Sequence, residues 1–409
     1  MITVGYLSQF KGLPKQVYIL GILRLFVGVG NMIFSFASLL MTGILGMSTA
    51  AAGNVMMLQS FGNALGASFG GRMADTKGRK KSYLFFAVGA FIFFILGGIF
   101  CRRMLVLPCM LIASFCSNAC GPSISAMVAD YAPPEKRVES FSFLYLCVNL
   151  GFAAGPSIGG LLFYNHLEMT FFIQGTTFFV VGLLIFFLIE ERYVPTSARK
   201  AGSAEEPPRQ GSLKLLFQHK LLVTFIISLS IITICYAMTN FLLPLQLSDY
   251  FGLEKSAQYA GNIWTVNGLS IFFFTPLVLG FVKKRHQFIN TVTASILYAI
   301  GFGMYAFIRK APLFFVAALI WSMGEIIVST GAGNFIADQS PESHRGRFQS
   351  YYEIARYFGR GIAPPICAFI IEKAGFSGAW VLNACICISM AAFMFIYLKN
   401  YQRKEAANE

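Results

Sequence analysis

Apolar residues run along this chain in long stretches separated by short polar intervals. Stretches of about 20 residues, each long enough to cross a hydrocarbon core about 30 Å thick, fall near 17–40, 50–72, 83–101, 105–129, 139–163 and 169–189, and again near 218–244, 257–281, 288–308, 313–336, 347–371 and 377–398. The pattern predicts an all-α integral membrane protein of twelve transmembrane helices. Between the sixth and seventh stretches, residues 192–216 turn polar, with Pro195, Ser197, Gly202, Ser203, Pro207, Pro208 and Gly211 among charges of both signs. That composition reads as an exposed linker, not a third domain. Residues 1–191 and 217–398 are then two six-helix bundles, and 399–409 a short charged tail.

The two halves repeat at an offset of 208 residues. Ala52-Gly53-Asn54 recurs as Ala260-Gly261-Asn262 and Ala129-Asp130 as Ala337-Asp338, and the same frame carries Pro133 onto Pro341, Arg137 onto Arg345, Gly151 onto Gly359 and Pro156 onto Pro364. A duplicated half in so apolar a chain predicts two pseudo-symmetric bundles around a central site, the arrangement of secondary transporters.

Composition sharpens this. With 56% hydrophobic and 12% charged residues the chain does not describe a soluble surface. A net charge of +14 would point a soluble protein toward nucleic acid. Here most lysines and arginines fall in the segments that twelve spans with an inside N-terminus leave cytoplasmic, as the positive-inside rule requires. Nucleic acid is not expected as a partner. The first apolar run is too long for a signal-peptide core and is read as helix 1. Nine cysteines, an odd number set almost wholly within spans, give neither a disulfide framework nor zinc spacing. The histidines His166, His219, His286 and His344 are scattered, so no metal is expected. No G-x-x-x-x-G-K-[ST] loop is present, which leaves an ion gradient as the energy source, unless transport is passive, and no cofactor.

Two motifs carry mechanism. Gly71-Arg72-Met73-Ala74-Asp75-Thr76-Lys77-Gly78-Arg79-Lys80-Lys81 lies between spans two and three. A glycine there allows close helix contact, and an aspartate at a helix C-terminus needs a cationic or amide partner because that end is already negative. Gly151-Phe152-Ala153-Ala154-Gly155-Pro156-Ser157-Ile158-Gly159-Gly160 lies in span five. Its small residues favour tight packing, and Pro156 removes a backbone donor and bends the helix. The first motif resembles the signature loop of the major facilitator superfamily, and the second resembles the helix 5 signature of that superfamily's twelve-helix drug:proton antiporters. The resemblance implies a gate in which Gly71, Asp75, Gly78, Arg79, Lys80 and Asp130 take part, with Asp75 reaching the start of helix 11 and Arg79 pairing with Asp130. It also implies a hinge at Gly151, Gly155, Pro156, Gly159 and Gly160. Thr76 stands where the family usually has arginine.

Ionisable residues inside spans are the next signal, because each costs on the order of 3 kcal/mol at the bilayer centre unless it faces a partner or water. They are Arg24 in helix 1, Glu325 in helix 10, and Glu353, Arg356 and Arg360 in helix 11. At about 1.5 Å per residue, Glu325 and Arg360 reach similar depths and are able to pair. Spacing also allows a Glu353–Arg356 bridge. Gly324-Glu325 resembles the helix 10 pair of multidrug facilitators whose carboxylate serves protons and cationic drugs. Desolvation raises such a carboxyl's pKa and a bound cation lowers it, which makes Glu325 the candidate proton carrier. A permanent Glu325–Arg360 salt bridge is the structural alternative. The resemblance implies a cavity lined by helices 1, 4, 7 and 10 with parts of 2, 5, 8 and 11. Its candidate substrate contacts are Arg24, Asn31, Asn149, Tyr236, Asn240, Trp264, Asn267, Trp321, Glu325, Arg356 and Arg360, with Asn63 as a further polar position.

The expectation is a secondary active transporter, not an enzyme, working by alternating access. It would perform proton-coupled efflux of lipophilic or cationic drug-like compounds, as a monomer in the plasma membrane with both termini cytoplasmic. Transport of an anionic or amphipathic metabolite or lipid held by the intramembrane arginines is the second reading, and a non-transporting membrane sensor or scaffold the third.

Overall fold

Pro14, which fixes its own φ and cannot continue a helix backwards, precedes the first helix, α1 (Lys15–Gly30). The computed structural model describes residues 10–191, 219–282, 285–340 and 345–406. The linker expected over 192–216 lies outside them.

Beyond α1 the backbone changes form. It passes through a 3₁₀ turn at Ile33–Phe36, a single α turn at Ala37–Leu39 and a π segment at Leu40–Ile44. Ser48 caps α2 (Thr49–Lys77), its hydroxyl accepting from Ala51 N–H at 3.2 Å. Gly78, at φ 105°, ends α2 and begins α3 (Arg79–Ile99), a backbone angle that suits glycine alone among common residues. Then follow α4 (Val106–Tyr131), α5 (Arg137–Leu162) and α6 (Leu167–Leu188), and after the linker α7 (Lys220–Phe251), α8 (Leu253–Val282), α9 (Gln287–Met304) and α10 (Ala311–Asp338). The last helical run, Arg345–Ala406, is two helices joined at Gly375, where φ is 66°. We call them α11 (345–374) and α12 (376–406). No strand occurs among the described residues.

With the last run divided at Gly375, the twelve described helices track the twelve apolar stretches. Nine described stretches are long and apolar enough on their own to cross a membrane, the last containing both α11 and α12. α2 and α9 are not among them, and α2 interrupts its apolar sequence with Asn54, Gln59, Asn63 and Arg72. Outward faces carry large apolar side chains, Phe85, Phe187, Phe281 and Ile354 among the most exposed. Such surface is stable only against hydrocarbon.

The described helices pack as two compact units. The first holds α1 to α6 together with Leu247–Phe272, which is the end of α7 and most of α8. Its close contacts are glycine-mediated: a Cβ built on Gly66 or Gly70 of α2 would strike the Phe115 or Ala119 carbonyl of α4. The second unit holds α7 up to Gln246 and the chain from Phe273 onward. Its core is aromatic, with Trp321, Trp380, Tyr305 and Phe302 wholly buried. Some of its polar side chains bond within that core. Trp380 Nε1 donates to Gln246 Oε1 at 2.7 Å, and Gln246 Nε2 donates to the Tyr305 carbonyl at 2.7 Å. In a membrane these bonds have no water to compete with.

Candidate functional site

The signature loop is held from three directions within the first unit. Arg79 opens α3, and its Nε lies 3.1 Å from Asp130 Oδ2 near the end of α4, with the two side chains 7% and 12% exposed. The Glu191 carboxylate accepts from the backbone N–H groups of Arg79 (3.1 Å) and Lys80 (2.9 Å), so a negative group caps the positive end of α3. Lys80 Nζ answers at the opposite pole, donating to the carbonyls of Phe186 (2.7 Å) and Ile189 (2.8 Å) where α6 ends. Tyr131 Oη donates to the Glu190 carbonyl at 2.7 Å. Gly78 is required at the centre of this arrangement, since a Cβ there would approach Glu191 Oε2 to 2.9 Å.

Glu191 and Tyr131 escaped the sequence reading. Glu191 stands at the polar border of the linker, where an acidic residue carries no local signal of capping a helix 112 positions away. The reading of Gly71 needs correction. A Cβ on Gly71 would meet only Pro122 Cβ at an ordinary 3.7 Å, whereas Gly70 lies against the α4 backbone. Successive helix positions differ by about 100°, so the close-packing role falls one residue earlier. Asp75 is exposed. Its expected target at the start of helix 11 includes residues 341–344, which lie outside the described residues.

The helix 5 motif faces two neighbours. Gly151 and Gly155 press against α1, where a Cβ on Gly28 would stand 2.9 Å from Gly151 Cα and one on Gly155 2.5 Å from the Val29 carbonyl. Gly159 admits Met32 and Phe36, each 2.9 Å from its built Cβ. The other face meets α8: Gly160 abuts the Ala257 carbonyl, and Gly261 of α8 abuts the Pro156 carbonyl. Ser157 Oγ donates to Asn262 Oδ1 at 2.7 Å and lies 2.7 Å from Thr265 Oγ1, which itself donates to the Ala153 carbonyl. Polar bonds thus gather where the proline interrupts the α5 ladder. Gly28, in a Gly-Val-Gly run, is a packing glycine here.

The candidate substrate residues divide between the units. Arg24, Asn31, Asn149, Trp264 and Asn267 belong to the first. Arg24 has Tyr83 and Cys120 as electrostatic neighbours. Asn31 sits at the break after α1, where Gln174 of α6 does what the helix cannot: its Oε1 accepts from Met32 N–H (3.2 Å) and Ile33 N–H (3.3 Å), and its Nε2 donates to Asn31 Oδ1 (3.4 Å). Asn149 donates back to the Tyr145 carbonyl in its own helix at 2.8 Å. Trp264 is half-buried and Asn267 buried.

Tyr236, Asn240, Trp321, Glu325, Arg356 and Arg360 belong to the second unit. Tyr236 gathers several of them. Its ring lies 5.8 Å from Trp321 and 6.0 Å from Tyr298, and it is an electrostatic neighbour of Arg360. Tyr298 in turn has half-buried Glu325 as a neighbour. Gly324 lets this segment of α10 approach α9, a Cβ there standing 2.9 Å from the Ala294 carbonyl. Asn240 follows Tyr236 by one turn and is half-buried. Trp321 is not a lining residue in this conformation. It is 0% exposed and its Nε1 donates to Tyr305 Oη at 3.0 Å, so it forms the wall behind Tyr236.

On α11, Arg356 Nη1 meets both carboxylate oxygens of Glu353, at 2.9 and 3.1 Å, the bridge that the i, i+3 spacing allowed. Its guanidinium also lies 5.6 Å from the Tyr352 ring centre. Arg360 is exposed, and among the described residues no ion pair joins it to Glu325. The described residues hold no group of three His, Cys, Asp or Glu side chains suited to a metal ion.

Comparison with known proteins follows the same lines. The family model described as Major Facilitator Superfamily matches residues 20–364 and 292–409. The chain is 21% identical over 385 residues to a Na(+), Li(+), K(+)/H(+) antiporter of Planococcus maritimus, covering 87% of this chain and 90% of that one. It is 25% identical over 357 residues to the multidrug resistance protein MdtG of Proteus mirabilis, covering 84% of each. Among solved structures it is similar to a POT family transporter in complex with a thioalcohol-conjugated peptide, at TM-score 0.76 with 13% identity over 96% of this chain and 97% of that one. It is likewise similar to the nucleoside transporter NupG, at TM-score 0.74 with 16% identity over 94% and 100%.

Proposed function

The chain belongs to the Major Facilitator Superfamily and is a multi-pass membrane transporter, and from that premise we propose that it exports lipophilic or cationic compounds in exchange for protons. The observation that carries the reading is the setting of Glu325: a carboxylate within the membrane-spanning part of α10, neighbour to Tyr298 in the aromatic group around Tyr236. A carboxyl so placed is able to hold a proton in its desolvated state and release it when a cation arrives, and aromatic faces attract that cation. The printed names of two relatives, a monovalent-cation/proton antiporter and a multidrug resistance protein, describe activities of this kind. Exchange of one proton for one monovalent cation is electroneutral and driven by pH difference alone, about 1.4 kcal/mol per unit.

In this reading the plasma membrane holds the protein with both termini cytoplasmic. The network of Arg79, Asp130, Lys80 and Glu191 belongs to the gate on that side, and the glycines of α5 to the surface on which the gate turns. Arg24, Asn31, Asn149, Tyr236, Asn240, Trp264, Asn267, Arg356 and Arg360 remain the candidate contacts for substrate. The test is flux: proteoliposomes loaded with a cationic dye lose it when a pH gradient is imposed, and a protonophore abolishes the loss. Dye movement indifferent to the gradient sinks proton coupling.

A second reading rests on Arg360, exposed and neighboured by Arg356. It assigns the site an anionic or amphipathic substrate. Competition between anionic and cationic ligands separates the two, and a strict preference for cations removes the second.

A further inference from the structure

Between α3 and α6 lies a groove of about 330 Å³, which adjoins the signature loop and contains none of the candidate substrate contacts. Its walls are wholly apolar: Leu84, Ala87 and Val88 on α3, and Phe179, Gly182 and Phe186 on α6. The groove exists because position 182 has no side chain. A Cβ there would already stand 3.6 Å from Ala87 Cβ and 3.8 Å from Leu84 Cδ2, so any longer side chain fills the space. At one end lie two ring pairs, Phe91 tilted against Phe179 with centres 4.8 Å apart and Phe94 stacked on Phe178 at 6.1 Å.

The other end is cationic. Lys80 lies 5.1 Å over the Phe186 ring and is bound to the last carbonyls of α6, so it forms the rim. Lys81 is exposed and enters no ion pair among the described residues. It precedes Leu84 and Val88 by three and seven positions, so helical periodicity places it on the stripe that forms the groove wall. From Phe178 to Phe186 the groove is about 12 Å long at 1.5 Å per residue. That is an apolar groove of chain-like proportions with a cation at its mouth.

We propose that this groove binds an anionic phospholipid, with one acyl chain between α3 and α6 and the phosphate at Lys81. A void between apolar helices in a bilayer is filled by an acyl chain of any lipid, so the apolar walls give fit without selectivity. Lys81 supplies selectivity, since a lysine near a membrane surface attracts anionic headgroups. The site would tie the signature loop, two residues away at Arg79, to the lipid composition around it.

Native mass spectrometry of the purified full-length chain tests this with phosphatidylglycerol and phosphatidylcholine of identical chains. The wild type is expected to retain phosphatidylglycerol about fivefold more tightly, the ratio that one lysine contact gives. Lys81→Gln equalises the two lipids while still binding both, and Gly182→Leu lowers retention of both. If Gly182→Leu does not fold, Val88→Trp fills the groove from the α3 side in its place. Equal retention by the wild type overturns the proposal, as does a phosphatidylglycerol preference that survives Lys81→Gln. A groove-filling variant that keeps the lipid also overturns it.

Discussion

Arg79 and Asp130 meet at 3.1 Å with little of either side chain left to solvent. Removing one partner takes from a nearly buried charge the opposite charge 3.1 Å away, and breaking such a pair costs about 3–5 kcal/mol. Asp130→Ala is therefore expected to lower the thermal unfolding midpoint in detergent markedly. The paired change Arg79→Met with Asp130→Leu should lose less than the two single changes added together. Additive losses would mean that the contact is not a coupled pair.

Glycines of the signature loop and helix 5 give a sharper contrast. Gly70→Ala forces a methyl group into the Ala119 backbone, and Gly151→Ala forces one against α1. Overpacking of this kind costs about 1–3 kcal/mol. Gly71→Ala meets only Pro122 at contact distance and should leave stability within about 0.5 kcal/mol of the parent. Thermal midpoints that rank Gly71→Ala with the other two would contradict the packing described.

Gln174 is expected to matter beyond its size. Gln174→Leu keeps much of the volume but strips Ile33 N–H of the Gln174 acceptor and leaves Met32 N–H only the Gly30 carbonyl, and a buried donor left unsatisfied costs about 1–3 kcal/mol. Gln174→Glu retains the acceptor and should lose less. Equal stability of the leucine and wild-type proteins would show that the break after α1 needs no support from α6.

Cys101, in the connection after α3, is a pH reporter. Burial pushes its thiol up, the nearby Glu168 carboxylate adds to this, and Arg102 opposes it. Alkylation by a maleimide should be slow at pH 7 and rise only above the ordinary thiol range. The sign for stability follows. A raised folded-state pKa stabilises the native protein below the unfolded thiol's pKa, and that contribution is lost as pH climbs through the folded value. Glu168→Gln should speed alkylation at a given pH, and an unchanged rate would remove Glu168 as a cause.

The course of the chain was legible in the sequence because each span must satisfy its own backbone and face hydrocarbon, which writes one long apolar run per helix. The break in helix 1 was not. No proline or polar cluster marks Ile33–Ile44, and the group that supports its start, Gln174, lies 142 residues from Met32. Glu191 was hidden for the same reason, its function fixed by a distant helix end. Arg79–Asp130 and Glu353–Arg356 were readable, the first through a family motif and the second through helical spacing. Trp321 misled, because an aromatic residue beside a functional glutamate looks like a ligand contact until Tyr305 is seen to take its N–H.

The central claim is that Glu325 carries the coupled proton. Proteoliposomes containing Glu325→Gln, loaded with a monovalent cationic dye and given a pH gradient, test it most directly. The account predicts that gradient-driven efflux falls to the protein-free rate while the variant remains folded. Gradient-driven efflux equal to wild type would remove Glu325 from the mechanism.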